Sequence, residues 1–247
     1  MNLIRPTVFQ KSTHITAVFT EANRYVSSND NSSQALDFGI NTLTPKDQIE
    51  KNYEKLLTYL ELESNSIAIA KQVHGSNIEI VDTPGIYENT DGLITKTPNL
   101  ALGIQVADCA AILVADEVNG VIGAFHAGWR GAVGNVLTKG LKMMESIGAQ
   151  INRYKAYISP CISEEKFEVG EEVAKLFPSA FVDRSSYSKP HVNLKGFLKH
   201  QMIDSGMKSS QIEISQGCTI QNKEFFSYRR EREKAGRMLG LINLNKN

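Results

Sequence analysis

The segment Gly120–Gly134, GVIGAFHAGWRGAVG, decides the fold prediction because it joins a strand pattern to a turn and a helix. Residues 121–125 form a short apolar run that is typical of a buried strand. His126 ends this run, and a glycine-rich turn then leads into an apolar helical pattern. Open α/β sheets bind ligands in the crevice at the carboxyl ends of their strands. We therefore expect His126 to face a site.

The composition of the chain is that of an ordinary globular protein. Its 247 residues include 27 Lys plus Arg and 27 Asp plus Glu, a balance that favours neither nucleic acid nor an acidic membrane surface as a partner. Three scattered cysteines, Cys109, Cys161 and Cys218, cannot form a disulfide framework and indicate a reducing compartment. The first residues lack a secretory pattern, and the longest apolar run is too short to span a membrane. We predict a cytoplasmic protein.

Strand and helix patterns are distributed along the whole chain. Apolar runs predict strands at residues 16–20, 66–72, 77–81, 92–94, 100–106, 112–115, 121–125, 154–158, 212–214 and 237–242. Helical spacing predicts helices that begin after Thr44 as N-cap and after Arg130, within residues 166–177, and from His191 to Met202. A polar loop is expected at residues 21–33. Since no long linker or internal repeat divides these elements, we predict one α/β domain over residues 1–247.

Three residues share one setting: His74, Cys109 and His126 each follow an apolar run and adjoin small residues. Imidazole and thiolate are preferred zinc donors, and three protein ligands with a fourth position open are typical of catalytic zinc. Asp108 precedes Cys109, and carboxylates commonly orient zinc-bound histidines. These residues are candidate metal ligands and, with Asp108, candidate catalytic residues.

Other interpretations use the same residues. Cys109 has the setting of a small buried apolar residue, and His74 that of a turn residue bonded to its own backbone. His126, taken alone, fits a structural histidine whose hydrogen bonds are satisfied. A nucleophilic Cys109 with a histidine base and Asp108 as orienting carboxylate is a further alternative. The spacing does not separate these alternatives. Serine-hydrolase and nucleotide-loop motifs are absent from the sequence.

Six segments, in this order, resemble the YfiH family of zinc-dependent purine nucleoside phosphorylases: KQVHG at 71–75, DGLIT at 91–95, ADCAAIL at 107–113, GAFHAGWRG at 123–131, FEVGEEV at 167–173 and YRRE…AGRMLGLI at 228–242. The resemblance implies a layered sandwich of mixed β-sheets flanked by helices, with zinc on His74, Cys109 and His126. It also implies phosphorolysis of adenosine, inosine and S-methyl-5'-thioadenosine, with adenosine deaminase activity. The family is also labelled as copper-dependent, laccase-like polyphenol oxidases and as peptidoglycan editing factors, which leaves a copper enzyme and an amidase-type editing factor as alternatives.

Substrate and phosphate contacts are predicted for Gln72, Arg130, Arg229 and Arg24. Arg130 begins a predicted helix, where a guanidinium and free N–H groups together bind phosphate; a salt bridge across the turn is the alternative. Arg230 and Arg237 are further candidates for the same anion pocket, Arg232 is predicted to be solvated, and Trp129 is predicted to anchor packing under the turn. Arg24 occupies a Ser/Asn-rich loop where the family has an arginine followed by a glycine-rich loop. Two alternatives follow: Arg24 substitutes for that arginine, or a substrate or phosphate contact is lost.

Overall fold

The computed structural model describes residues 1–23 and 35–246. Its strands are β1 (Leu3–Ile4), β2 (Ile15–Thr20), β3 (Ile67–Lys71), β4 (Ile78–Ile80), β5 (Gly85–Glu88), β6 (Gly92–Thr95), β7 (Ala101–Val106), β8 (Ala110–Asp116), β9 (Val121–Ala127), β10 (Lys155–Ile158), β11 (Val182–Asp183), β12 (His191–Val192), β13 (Ile212–Ile214) and β14 (Met238–Leu244). Its α-helices are α1 (Lys46–Tyr59), α2 (Trp129–Val133), α3 (Val136–Ser146), α4 (Glu171–Ala174), α5 (Leu194–Asp204) and α6 (Tyr228–Glu231).

Two mixed six-stranded sheets pack face to face. The first has the order β1-β2-β14-β7-β3-β5, and the second has the order β13-β10-β8-β9-β6-β4. The core between them joins residues of the first sheet, such as Phe19 and Ile104, to residues of the second, such as Leu113 and Ala124. All four side chains are fully buried, so this apolar interface contributes strongly to stability.

Helices cover the outer faces of both sheets. Leu56 and Leu57 of α1 pack in one cluster with Leu239 of the first sheet. Leu141 of α3 and Leu198 of α5 pack in another cluster that includes strands of the second sheet. The four layers confirm the predicted α/β sandwich of mixed sheets flanked by helices. None of the described helices is both long enough and apolar enough to cross a membrane.

Phe125, next to His126 on β9, lies in a slot that three glycines form. A Cβ atom on Gly92 or on Gly123 would lie 2.7 Å from the Phe125 ring, and one on Gly140 of α3 would overlap the ring directly. The aromatic ring therefore sets how closely α3 packs on the second sheet.

We expect Gly140→Ala to lower the free energy of unfolding. Overpacking a buried site costs about 1–3 kcal/mol, which exceeds the roughly 1 kcal/mol that alanine gains over glycine within a helix. Urea unfolding measures the difference, with Lys142→Ala on the exposed side of the same helix as the control. A Gly140→Ala variant as stable as the parent protein would contradict this packing.

Several predicted boundaries were wrong for local reasons. The helix predicted after Arg130 is split into α2 and α3 because Asn135 takes a left-handed conformation, with φ at 60°. Thr44 does not cap α1, since its hydroxyl donates to Asp37 instead. His191 belongs to β12, and α5 begins only after Asn193, whose side chain accepts the N–H of Gly196.

The helix predicted within residues 166–177, at residues 169–173, is present as the single turn α4, which begins two residues later because Gly170 is extended and precedes its first turn. A separate 3-10 turn, Glu164–Lys166, comes before it. Of the polar loop predicted at residues 21–33, residues 24–33 lie outside the described part of the chain.

Candidate functional site

His74, Cys109 and His126 converge on one point, and we call them the His–Cys–His group. Their donor atoms all lie within 4.8 Å of one another. His74 lies in the connection from β3 to β4, and Cys109 lies in the connection from β7 to β8. Both connections cross from the first sheet to the second, whereas His126 is on β9 of the second sheet. The face-to-face packing of the sheets therefore assembles the group.

Unusual backbone conformations shape the two connections. His74 has φ at 61°, and Asp108, next to Cys109, has φ at 81°. Such conformations are uncommon for residues other than glycine, and they persist only where surrounding contacts hold them. Here they turn both segments sharply at the points where the donor side chains are presented.

Asp91 links two of the three donors. Its Oδ1 lies 2.8 Å from Nδ1 of His126, and its Oδ2 accepts the N–H of Gly75 at 2.7 Å. Its backbone carbonyl accepts the N–H of His126 at 2.7 Å. The side chain is completely buried. Because Asp91 engages Nδ1, Nε2 is the nitrogen of His126 that remains available to a metal ion.

Burial and charge act in opposite directions on these groups. Burial opposes ionisation of Asp91, but its hydrogen bond and attraction to His126 bring the pKa of the carboxyl below its ordinary value. Burial also opposes ionisation of Cys109, but both histidines bring the pKa of the thiol below its usual value. Burial lowers the pKa of His126, yet Cys109 and Asp91 raise it overall. The site therefore favours the thiolate, the form of cysteine that binds metal.

The donor set suits a metal ion. Around a tetrahedral zinc with Zn–N near 2.05 Å and Zn–S near 2.3 Å, donor atoms lie about 3.4–3.6 Å apart. The three donors, all within 4.8 Å of one another, would draw together around such an ion. Two imidazoles and one thiolate suit zinc or copper better than magnesium or calcium. The His–Cys–His group could thus bind a metal ion through three protein ligands.

The sequence suggested that Asp108 orients a histidine, but in the structure its carboxylate has other partners. Its carboxylate accepts the Thr219 hydroxyl at 2.6 Å and the N–H of Arg229 at 2.7 Å, while its carbonyl accepts the N–H of Ile162. These bonds fix the turn that carries Cys109. Asp91 occupies the orienting position instead. Sequence reasoning missed Asp91 because an Asp-Gly pair is typical of a loop; its place at the start of an apolar strand was the available signal.

A cavity of about 560 Å³ adjoins the His–Cys–His group. Its lining includes Gln72, Arg130 and Arg229, three of the residues for which substrate or phosphate contacts are predicted. The amide of Gln72 is engaged by the backbone of Gln105, with bonds of 2.7 and 2.9 Å. Arg24 lies outside the described residues.

The predicted arginines differ in their surroundings. The Arg130 guanidinium stacks 4.3 Å from the centre of the Trp129 ring, and the salt bridge considered for it does not form within the described part of the chain. Arg229 donates to the carbonyl of Glu168 at 2.8 Å. Arg230 does not line the cavity, since it donates to the carbonyls of Thr219, Ile220 and Phe225. Arg232, predicted to be solvated, is exposed. Both Arg232 and Arg237 line the cavity.

We expect Gly128→Ala to weaken metal binding while leaving the fold intact. A Cβ atom there would lie 2.8 Å from Sγ of Cys109 and 3.4 Å from Cδ2 of His74, although the Gly128 backbone is extended and accepts alanine. Cys109 must then rotate away, so metal affinity should fall about tenfold or more, on the scale found when residues supporting metal ligands are changed. Metal titration checks this, and thermal unfolding of both metal-free proteins provides the control. Unchanged affinity would show that Gly128 is not needed to seat Cys109.

The fold and the site define the class of protein: a four-layer α/β sandwich with a His–Cys–His group beside a cavity. The family model described as multi-copper polyphenol oxidoreductase laccase matches residues 16–245, and the chain belongs to this family, the YfiH family. The resemblance found in the sequence is thereby confirmed.

Known relatives agree with this assignment. The hypothetical protein YfiH of Bacillus licheniformis has the same fold, with a TM-score of 0.88 and 25% identity over 98% of this chain and 96% of that one. A purine nucleoside phosphorylase of Deinococcus radiodurans is 34% identical over 199 residues, which cover 79% of this chain and 77% of that protein. The adenosine deaminase RL5, from an unknown prokaryotic organism, is 28% identical over 200 residues, 74% of this chain and 76% of the relative.

Proposed function

We propose that this protein is a zinc-dependent purine nucleoside phosphorylase that acts on adenosine, inosine and S-methyl-5'-thioadenosine and also deaminates adenosine. The observation that carries the proposal is the His–Cys–His group opening into a cavity lined by arginine and aromatic side chains. The printed activities of the relatives, purine nucleoside phosphorylase and adenosine deaminase, support it.

Phosphorolysis transfers a pentose from the base to phosphate. An oxygen of phosphate forms a bond to C1' of the sugar, the bond from C1' to N9 breaks, and the base leaves with the electron pair and takes up a proton. The residues assigned to phosphate are Arg130 and Arg229, because guanidinium groups bind phosphate oxygens in pairs and offset their charge. Gln72 has one amide hydrogen left for substrate after its bond to Gln105.

The residues also suit a bound zinc ion. His74, Cys109 and His126 would hold it, leaving a fourth position open to the cavity. When bound, zinc supplies Lewis acidity and lowers the pKa of water, which is the chemistry that deamination at C6 of adenine requires. Asp91 keeps His126 in the orientation that directs Nε2 toward the other donors. All three cysteines are free thiols, which supports the proposed cytoplasmic location.

A copper-dependent polyphenol oxidase is the second candidate, favoured by the description of the family model. Within residues 1–23 and 35–246, one group of three donors has the spacing of a metal site. A multicopper reaction needs several such groups, and the arginines of the cavity have no role in phenol oxidation. We therefore place the phosphorylase first.

The test begins with protein purified without added metal. Elemental analysis should find zinc, and adenosine should yield adenine and ribose 1-phosphate only when phosphate is present. Inosine formed without phosphate would report the deaminase activity. Copper together with phenol oxidation and no purine turnover would overturn the proposal. Hydrolysis of peptidoglycan precursors without purine turnover would favour the amidase-type editing factor instead.

A further inference from the structure

Positive charge is concentrated in the cavity beside the His–Cys–His group. Arg130, Arg229, Arg232 and Arg237 line it, and Asp108 is the one carboxylate among the lining residues. The chain as a whole carries equal numbers of basic and acidic residues. The local excess therefore reflects placement in the fold, and a cleft lined by charge of one sign raises the local concentration of oppositely charged ligands.

None of these four arginines forms an ion pair with another described residue, whereas Arg184 and Arg230 do so elsewhere. Arg229 attracts the carboxylate of Glu168 from beyond ion-pair distance. The two oxygens of Asp108 accept hydrogen bonds from Thr219 and from the backbone of Arg229. Arg229 and Arg237 each use one terminal nitrogen on backbone carbonyls, and the other N–H groups of these guanidinium groups remain available to an anionic ligand.

Aromatic rings accompany three of the four arginines. Arg130 lies over Trp129, Arg229 over Phe167 and Arg237 over Tyr228, and the three rings also line the cavity. Stacking holds a guanidinium in place without consuming its hydrogen-bond donors. The lining therefore combines flat apolar surfaces for a base with fixed cations for acidic groups.

Phosphate binding leaves Arg232 unassigned, and among the described residues its backbone alone is hydrogen-bonded, to Tyr228 and Ala235. No described residue accepts a hydrogen bond from its side chain, whereas Arg229 and Arg237 both donate to backbone carbonyls. Its backbone has φ at 56°, a conformation that is costly for an arginine and that persists only where surrounding contacts hold it. The Arg232 side chain is therefore available to bind an acidic group other than the inorganic phosphate assigned to Arg130 and Arg229.

We propose that the substrates of this cavity include purine nucleosides that carry an acidic group on the sugar, such as adenosine 5'-monophosphate, and that Arg232 binds this group. The inference rests on the proposed phosphorolysis. Inorganic phosphate bonds to C1', the bond from C1' to N9 breaks, and the electron pair leaves with the base, which takes up a proton from solvent. The products are adenine and ribose 1,5-bisphosphate.

The experiment compares kcat/KM for adenosine 5'-monophosphate and for adenosine at low ionic strength, with inorganic phosphate in excess. Adenosine 5'-monophosphate should be converted, and Arg232→Gln should lower the ratio of the two kcat/KM values about tenfold, on the scale of one charged hydrogen bond. Arg184→Gln, an exposed arginine that does not line the cavity, should keep the ratio. Added salt should lower the ratio as well.

The remaining outcomes separate this inference from the proposed function. If adenosine is converted while adenosine 5'-monophosphate is neither converted nor inhibitory, the inference falls and the phosphorylase stands. If both are converted but Arg232→Gln keeps the ratio, the role of Arg232 is wrong. If neither releases adenine in the presence of phosphate, the proposed function fails and this inference fails with it.

Discussion

Replacing Cys109 by alanine is expected to abolish metal binding and, with it, the proposed phosphorolysis and deamination. The thiolate is one of only three donors in the His–Cys–His group, and alanine offers no donor in its place. Replacing a residue that only hydrogen-bonds to a metal ligand lowers metal affinity about 10–100-fold, so removing the ligand itself should lower the affinity further. Elemental analysis after dialysis and titration with zinc measure the effect, and release of adenine from adenosine measures the activity.

Cys161 provides the matched control. It is a fully buried thiol that lies outside the His–Cys–His group, and burial raises its pKa to about 12, so it is not a thiolate near neutral pH. Cys161→Ala should retain the metal content of the parent protein. A Cys109→Ala protein that keeps its full metal content would show that Cys109 is not a metal ligand. That result would favour the alternative that Cys109 serves as a small apolar residue.

The α/β class could be predicted because most strands are short apolar runs, such as β9 around Phe125, and because α1 has apolar residues at helical spacing. The layered sandwich was expected only from the resemblance of six segments to the YfiH family. Breaks within helices could not be predicted, since the left-handed Asn135 depends on the packing of α2 and α3 against neighbouring elements. The strand order, which joins β14 to β2 and β7, also depends on contacts between distant segments.

The candidate site was predicted in its donors but not in their support. His74, Cys109 and His126 all follow apolar runs, and that local signal is visible in the sequence. Asp91 acts through His126 and Gly75, which are separated from it in the sequence by 35 and 16 positions, and only the folded sheets bring the three residues together. The site therefore depends on the two crossings between sheets, which place His74 and Cys109 beside the end of β9.

Replacing Asp91 by asparagine should weaken metal binding about 10–100-fold without removing a ligand. The carboxylate accepts hydrogen bonds through both oxygens, from the His126 ring and from the N–H of Gly75. Asparagine has one carbonyl oxygen, so its NH₂ group must face one of these two donors. Either His126 loses its orientation or the connection that carries His74 moves, and both changes separate the donors. Zinc titration against a competing chelator measures the affinity.

Asp116→Asn is the control that separates support of the metal site from general stability. Asp116 is also fully buried and accepts hydrogen bonds from Asn119 and from the N–H of Gln150, but it lies at the end of β8 away from Cys109. Loss of a buried acceptor should lower the free energy of unfolding of both variants by about 1–3 kcal/mol. Only Asp91→Asn should also lose zinc affinity, because only Asp91 contacts His126 and the connection that holds His74. Equal loss of affinity in the two variants would mean that Asp91 acts through global stability alone.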